Sequence, residues 1–393
     1  MQRLAIVTSH PVQYYAPWFR HLAAHSGWEI RVFYLWDHGI RESRDREFGR
    51  SVRWDTDLLS GYGSEFVPNV ARHPGTHAFG GLRNPELIPR LAAFAPHAVM
   101  VLGYGWASLL WLALRWKDCP LILRGDSNDI GLESLSFWRR KARSLALRCL
   151  FRQFAAFAAV GAANRRHYLA HGVAPERISH VPHCIDQSAF AAKTETRADA
   201  LKWRESLGIP SGNLVIGFAG KFIPKKRPDL LVRAFTRANL ANVSLVLVGG
   251  GKLQPQLEQL AAGAPDVVLA PFENQSAMPR VLAAFDLLVL PSEGRGETWG
   301  LVVNEAMAAG VPCVVSTDVG CREDLVVEGV TGWSFPAGDE AALAGALRQA
   351  AAKIRAGAPE LGVAVRERIA AYSYDSATAA LTRLLNNLPA KPR

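Results

Sequence analysis

The sequence predicts an α/β protein made of two Rossmann-like, doubly wound domains, and three observations lead there. The chain has 393 residues, more than the ~250–300 at which a single core stops growing and splits. Short apolar or β-branched runs alternate with longer helical patterns along its length, the signature of parallel sheets wrapped by helices. That rhythm falters once, from about Gln187 to Asn213, where a polar helical stretch runs into Pro210 and Gly212 with no strand pattern. The expected division is therefore 1–190 for the first domain, 191–372 for the second, and 373–393 for a last amphipathic helix and basic tail. Parallel sheets of this kind bind ligands beyond the carboxyl ends of their strands, which places a substrate in the central cleft that the two domains face.

The strands of the first half read as LAIVTS, EIRVFYLW, AVMVLG, LILRGD and AFAAVG. Those of the second read as LVIGFAG, SLVLVGG, DVVLAP, LLVLPS and PCVVS. The opening MQRLAIVTSHPVQYY carries only the apolar run Leu4 to Val7, far short of a signal-peptide core, and reads as a first buried strand. The charge-free stretch from Ala98 to Leu114 is broken by Gly103-Tyr104-Gly105 and reads as strand, turn and helix rather than a membrane span.

A hydrophobic fraction of 49% with 20% charged residues describes an ordinary globular chain and excludes a disordered or fibrous one. The five cysteines are odd in number and scattered, with no C-x-x-C spacing for zinc or redox chemistry, which fits a reducing, cytoplasmic setting. A net charge of +10 calls for an anionic partner. From Ser134 to Pro175 there is no acidic residue, while Arg139, Arg140, Lys141, Arg143, Arg148 and Arg152 fall among Trp138, Leu145, Leu147, Leu150 and Phe151. The segment 134–154 suits a helix lying on an anionic membrane surface, or equally a core helix with a solvated basic face.

Chemistry concentrates in SEGRGETWGLVVNEAMAAGVPCVVS, where Glu297 and Glu305 stand eight positions apart. The run reads as the end of a strand, a glycine-rich loop carrying Glu297, and a helix carrying Glu305 that stops at Gly310 before Pro312. The amides of Trp299, Gly300 and Leu301 open that helix, where free N–H groups and the dipole favour an anion such as phosphate. A carboxylate further along the helix can accept both hydroxyls of a ribose, and one in the loop can accept hydroxyls of whatever the phosphate carries, which together describe a nucleotide sugar. The bland alternative is a solvated glutamate pair beside an incidental turn.

A second piece, GFAGKFIPKKRPDLL, ends a strand at Ala219-Gly220 and places Lys221 and Lys226 around a short loop, where two cations can neutralise a diphosphate leaving group. Taken alone, Lys225-Lys226-Arg227 would be a solvated face. Gly249-Gly250-Gly251 follows the next strand without completing G-x-G-x-x-G and reads as a tight turn. Pro271-Phe272 offers backbone contacts to a nucleobase.

Together, the E-x7-E block, GKFIPKKRPDLL, VLVGGG and VPHCID (Val181 to Asp186) resemble the retaining glycosyltransferases of family four over most of residues 150 to 375. The resemblance implies a GT-B fold, a donor bound mainly by the second domain, and hexosyl transfer from a nucleotide sugar with retention at the anomeric carbon. It implies Glu297 at the transferred sugar, Glu305 at the ribose, Lys221 and Lys226 at the diphosphate, the strand end at Gly220 and the Trp299-Gly300-Leu301 amides at the phosphates, and Phe272 near the base. Lys221 departs from the arginine usual there and keeps the charge without the bidentate fork. His183-Cys184 stands where many members have Asn-Gly.

The first half departs further. SHPVQYYAPWFRHLA replaces the family's Gly-Gly loop, so His10, Gln13 and Tyr14 after the first strand are candidates for the acceptor side, or only shape and pack the loop. In LRGDSND, where members often have a sugar-contacting histidine, Asp126 is the candidate for that contact or for taking the acceptor proton, with loop capping as the alternative.

The expected mechanism is front-face attack, the departing diphosphate helping to remove the acceptor proton. Asp55-Thr56-Asp57 is formally a D-x-D but lies outside any expected buried strand, so no metal and no cofactor are expected beyond the donor itself, with a uridine diphosphate sugar favoured. A saccharide or lipid-linked acceptor in lipopolysaccharide or exopolysaccharide assembly, at the inner face of the cytoplasmic membrane, follows from the basic segment. A GT-B epimerase and a non-catalytic sugar-nucleotide or anionic-surface binding protein remain open. Nucleic acid is not expected as a partner, for no binding motif accompanies the charge.

Overall fold

The computed structural model describes residues 1–388 apart from 41–42, 46–49, 53, 133–134, 192 and 358. The chain divides into two compact units. One takes in the described residues of 1–43, 56–184 and 374–388, the other those of 44–55 and 185–373. The changeover at Cys184–Ile185 precedes the division expected at 190/191. Two segments also cross it: 44–55 groups with the second unit, and the last helix, Tyr374–Asn386, with the first.

The first unit carries β1 (Arg3–Thr8), β2 (Glu29–Tyr34), β5 (Gly63–Phe66), β6 (Ala98–Leu102), β7 (Leu121–Gly125), β8 (Ala156–Ala159) and β9 (Ile178–His180), while β3 (Ser43–Asp45) and β4 (Arg50–Val52) form a separate two-stranded ribbon. The main sheet runs in the order β5-β2-β1-β6-β7-β8-β9, with every described pairing parallel. Successive side chains of a strand point to opposite faces. Accordingly Ala5 and Val7 enter one core with Leu91, Leu112, Leu147 and Phe151, while Leu4 and Ile6 enter another with Trp18, Phe19, Leu22 and Leu381. Burial on both faces is why these strands are continuous apolar runs rather than alternating ones. The helix Tyr374–Asn386 closes the second of these cores through Ala377, Leu381 and Leu385, beside the helix Ala16–His25, whose His21 ring meets the Thr378 hydroxyl and Asp375 at 3.0 Å each.

The second unit is a six-stranded parallel sheet of β10 (Leu214–Lys221), β11 (Val243–Gly250), β12 (Val267–Ala270), β13 (Leu287–Leu290), β14 (Cys313–Ser316) and β15 (Gly332–Phe335), in the order β12-β11-β10-β13-β14-β15. The helices Pro228–Ala238 and Glu340–Arg355 pack on one face through Leu231, Phe235, Leu343 and Leu347. The glycine of GFAG is a packing requirement, because a Cβ on Gly217 would lie 2.1 Å from the Phe285 ring. Order reverses between β10 and β13, the switch point at which such sheets open a crevice beyond their carboxyl ends.

The chain therefore has the two doubly wound, Rossmann-like domains expected of it. The basic segment is helical over Phe137–Phe151, its expected start at Ser134 lying outside the described residues. Among the described residues no helix is long and apolar enough to cross a membrane.

Candidate active site

In the second unit β13 runs into a loop that ends at Gly300, the N-cap of the helix Leu301–Ala308. Gly300 holds φ +100°, a left-handed conformation that L side chains rarely adopt, and its α-hydrogen side faces Leu290, Val319 and Cys321. The loop is pinned at several points. The Ser316 hydroxyl donates to the Ser292 carbonyl, the Gly294 amide to Asp318 at 2.7 Å, and the Gly320 amide to the Glu297 carbonyl at 3.0 Å. Trp299 is buried, its indole N–H donating to Asn304 at 2.8 Å.

Glu297 is buried at the centre of this loop. Its Oε2 lies 2.5 Å from the Lys226 ammonium and accepts the Ser292 hydroxyl at 2.9 Å. Burial pushes its pKa up, but the Lys226 charge and hydrogen bond, the Lys225 charge and the Ser292 hydroxyl outweigh it, leaving the carboxyl below the ordinary glutamate value. Lys226 reaches it because β10 and β13 are neighbours in the sheet, and its loop is tied down by the Lys225 ammonium on the Gly296 carbonyl at 3.0 Å and by Arg227 pairing with Glu293. Lys221 closes β10.

Glu305 lies in the helix interior, buried, and its Oε1 accepts the Gln275 side-chain amide at 3.0 Å. Gln275 belongs to the loop after β12 that also carries Phe272. Ser276 beside it donates its amide to Asp55 at 3.3 Å and its hydroxyl to the same carboxylate, so the first aspartate of the formal D-x-D is a hydrogen-bond acceptor here. Gly220 and Gly249 face each other in register, and a Cβ on Gly249 would lie 1.9 Å from the Gly220 carbonyl oxygen. The triple glycine thus allows two backbones to approach.

At the carboxyl end of the first unit's sheet, His10 accepts or donates to Ser9 at 2.9 Å and sits edge-on to Trp36 and His38, which stack on each other at 4.4 Å. Burial, then the His38 charge, lowers the His10 pKa to about 4. Gln13 and Tyr14 occupy the turn between β1 and the first helix, both partly exposed. Asp126 follows β7. Its neighbour Arg124 is wholly buried, donates to the Val181 and Pro182 carbonyls at 2.7 and 3.1 Å, and lies 4.5 Å over the Trp18 ring, so it is a structural clamp. Asn128 caps its own loop by accepting the Ile130 amide.

Sequence reading missed three partners: Ser292, Gln275 and the group around Asp129. That carboxylate meets His167 and Arg143 at 2.9 Å each and His171 at 3.5 Å. Asp129, His167 and His171 bring three metal-capable atoms within 4.8 Å of one another, and the Arg143 guanidinium joins the group 3.4 Å from His171 Nε2.

A model of the glycosyl transferases group 1 family matches residues 199–354, the part that builds this site. The D-inositol 3-phosphate glycosyltransferase of Geodermatophilus obscurus is 30% identical over 364 residues, covering 83% of this chain and 78% of that protein. The chain belongs to the glycosyl transferases group 1 family. The enzyme of the same name from Stackebrandtia nassauensis is 36% identical over 218 residues, 52% of this chain, and the match spans just 45% of that relative. Among solved structures, Anabaena HepE in complex with UDP superimposes with a TM-score of 0.71 at 18% identity, over 99% of this chain and all of that one. The fold of this group 1 member is GT-B.

Proposed function

We propose that the protein is a retaining, metal-independent hexosyltransferase that moves a sugar from a nucleoside diphosphate donor, a uridine diphosphate sugar favoured, to a saccharide or lipid-linked acceptor in cell-envelope or exopolysaccharide synthesis. The observation that carries this reading is the buried Lys226–Glu297–Ser292 contact beside the Leu301–Ala308 N-terminus, with Glu305 buried in that helix. Two buried carboxylates at a switch point, held there by Lys226, Ser292 and Gln275, are the kind of paired and perturbed groups that mark a ligand site. Family membership supports it, as does HepE, which has been solved with UDP and with UDP-glucose.

In this reading Glu305 accepts the ribose hydroxyls, with Phe272 beside the base. Lys221, Lys226, the strand end at Gly220 and the amides of Trp299, Gly300 and Leu301 take the diphosphate. Glu297 accepts hydroxyls of the transferred sugar. When the donor enters, Lys226 shares its charge between Glu297 and the diphosphate, so it is already placed where negative charge develops as the leaving group departs. Attack comes from the front face, and the leaving phosphate oxygen takes the acceptor proton. His10, Gln13, Tyr14 and Asp126 are assigned to the acceptor side. Cysteines that form no disulfide among the described residues, and the basic surface, suit work at the cytoplasmic face of a membrane.

A second acceptor class, a phosphorylated polyol, is favoured by the net charge of +10 and by the inositol 3-phosphate in the relatives' names. The test is a thermal-shift panel of nucleoside diphosphates and their sugars on wild type and Glu305→Ala. A ligand at ~100 times its Kd adds ~2.7 kcal/mol to the folded state. One nucleotide stabilising wild type and not the variant supports the donor site, and the anomeric configuration of the product, read by NMR, tests retention. No stabilisation by any of them sinks the reading.

A further inference from the structure

The helix Phe137–Phe151 has two apolar faces. Leu147, Leu150 and Phe151 are buried in the first unit's core. On the other side Trp138, Ala142, Leu145 and Cys149, spaced four, three and four apart and so on one stripe, are all exposed, with Trp138 78% and Leu145 66% accessible. Core packing accounts for the first face, and none of the described residues of the unit covers the second. An ordinary surface helix would be polar there.

The stripe does not stand alone. The helix Ala107–Arg115 packs into the same core through Leu109, Leu112 and Ala113, and leaves Trp111 57% and Leu114 51% exposed. The two helix ends are joined by the Lys117 ammonium on the Gln153 side chain at 3.1 Å. Cations frame the apolar groups. The Arg115 guanidinium lies 4.5 Å over the Trp111 ring and the Lys141 ammonium 5.5 Å over that of Phe137, while Arg139 and Arg148 are exposed on either side of the stripe. From the inner side Arg143 is held by Asp129 at 2.9 Å, and Ser144 meets His171 at 3.2 Å, so the helix is presented rigidly.

We propose that the outer faces of Phe137–Phe151 and Ala107–Arg115 form a docking surface for an anionic lipid bilayer. Tryptophan rings and leucines enter the headgroup boundary while the flanking cations meet lipid phosphates. The chemistry selects this occupant. A nucleic acid gives Leu114 and Leu145 nothing to bury against, and a second copy would bring like charges together. The surface lies wholly in the first unit, and the proposal does not depend on the donor-site reading.

The experiment is co-sedimentation of the intact protein with vesicles of phosphatidylcholine alone or of an equimolar mixture with phosphatidylglycerol, at low and high salt, with duplex DNA as competitor. Binding is expected to the anionic vesicles, weakened by salt. Arg139→Gln, Lys141→Gln and Arg148→Gln together should weaken it at low salt by roughly fivefold per cation removed. Trp138→Ser with Leu145→Ser should weaken it by at least about tenfold while leaving the melting temperature unchanged, since both side chains are exposed in the free protein. Absence of binding to anionic vesicles at low salt, binding indifferent to the Trp138 and Leu145 changes, or full displacement by DNA would each overturn the proposal. None of these readouts involves sugar transfer, so each is separable from a failure of the proposed activity.

Discussion

The Lys226 ammonium and the Ser292 hydroxyl meet on a single oxygen of buried Glu297, at 2.5 and 2.9 Å. Removing one member of such a pair leaves a charge buried without its partner, which costs about 3–5 kcal/mol. Lys226→Ala should therefore lower the denaturant midpoint sharply. Lys226→Met combined with Glu297→Gln should recover most of that stability while remaining without transferase activity. A double change as unstable as Lys226→Ala alone would show that the pair is not the source of the loss.

Glu297 also sets an acid limit. Its folded-state pKa lies below the ordinary value, so its contribution is present above about pH 4.3 and is lost as pH falls through the folded pKa. Glu297→Gln should be less stable than wild type at pH 7, with the gap closing below about pH 4. A gap that stays constant with pH would refute the assignment.

Histidines act over a higher window. Burial, then His38, lowers His10 to about 4, and burial, then Arg124, lowers His183 to about 3. Below the unfolded value of about 6.5 the unfolded chain takes up protons that these rings do not, so stability rises with pH across the interval and is lost on acidification. Each should cost about 2 kcal/mol between pH 7 and pH 5. Denaturant titrations at the two values measure the sum, and His10→Gln should flatten the dependence. An unchanged slope in that variant would mean His10 titrates normally.

Arg124 satisfies two buried carbonyls, those of Val181 and Pro182. Arg124→Met should cost about 2–5 kcal/mol, read as a lower unfolding midpoint, with Arg124→Lys intermediate because an ammonium lacks the fork. Indifference to Arg124→Met would show the clamp to be dispensable.

At Gly300 a Cβ would meet the Leu290 side chain at 2.8 Å, on a backbone at φ +100°. Gly300→Ala should destabilise by about 1–3 kcal/mol and raise the donor KM more than it lowers kcat, because the helix amides move. A melting temperature and KM equal to wild type would contradict this.

The central strands were legible because burial on both faces writes them as unbroken apolar runs. Three of the four edge strands were not, although β12 was, as DVVLAP. GSEF of β5 and ISH of β9 carry polar residues to solvent, and GWSF of β15 is short and opens on a glycine. Glu297 and Glu305 stood out by their spacing, whereas the meeting of Lys226 with Glu297 depends on β10 and β13 lying side by side with β11 and β12 between them in sequence. Asp129 is 38 residues from His167, and only the β7 loop and a later helix bring them together. The attachment of 44–55 and of the last helix to their units is likewise a matter of tertiary packing that local pattern does not encode.

That last helix has a consequence for how the chain is made. Ala377, Leu381 and Leu385 complete a core begun by Leu4, Ile6 and Trp18. The first unit therefore waits for the whole of Ile185–Ser373 to be synthesised before this core can be completed, on the order of ten seconds or more. During that interval Trp18, Phe19 and Leu22 of the helix Ala16–His25 belong to a core whose last helix is still missing, and apolar surface left open in this way is prone to aggregate.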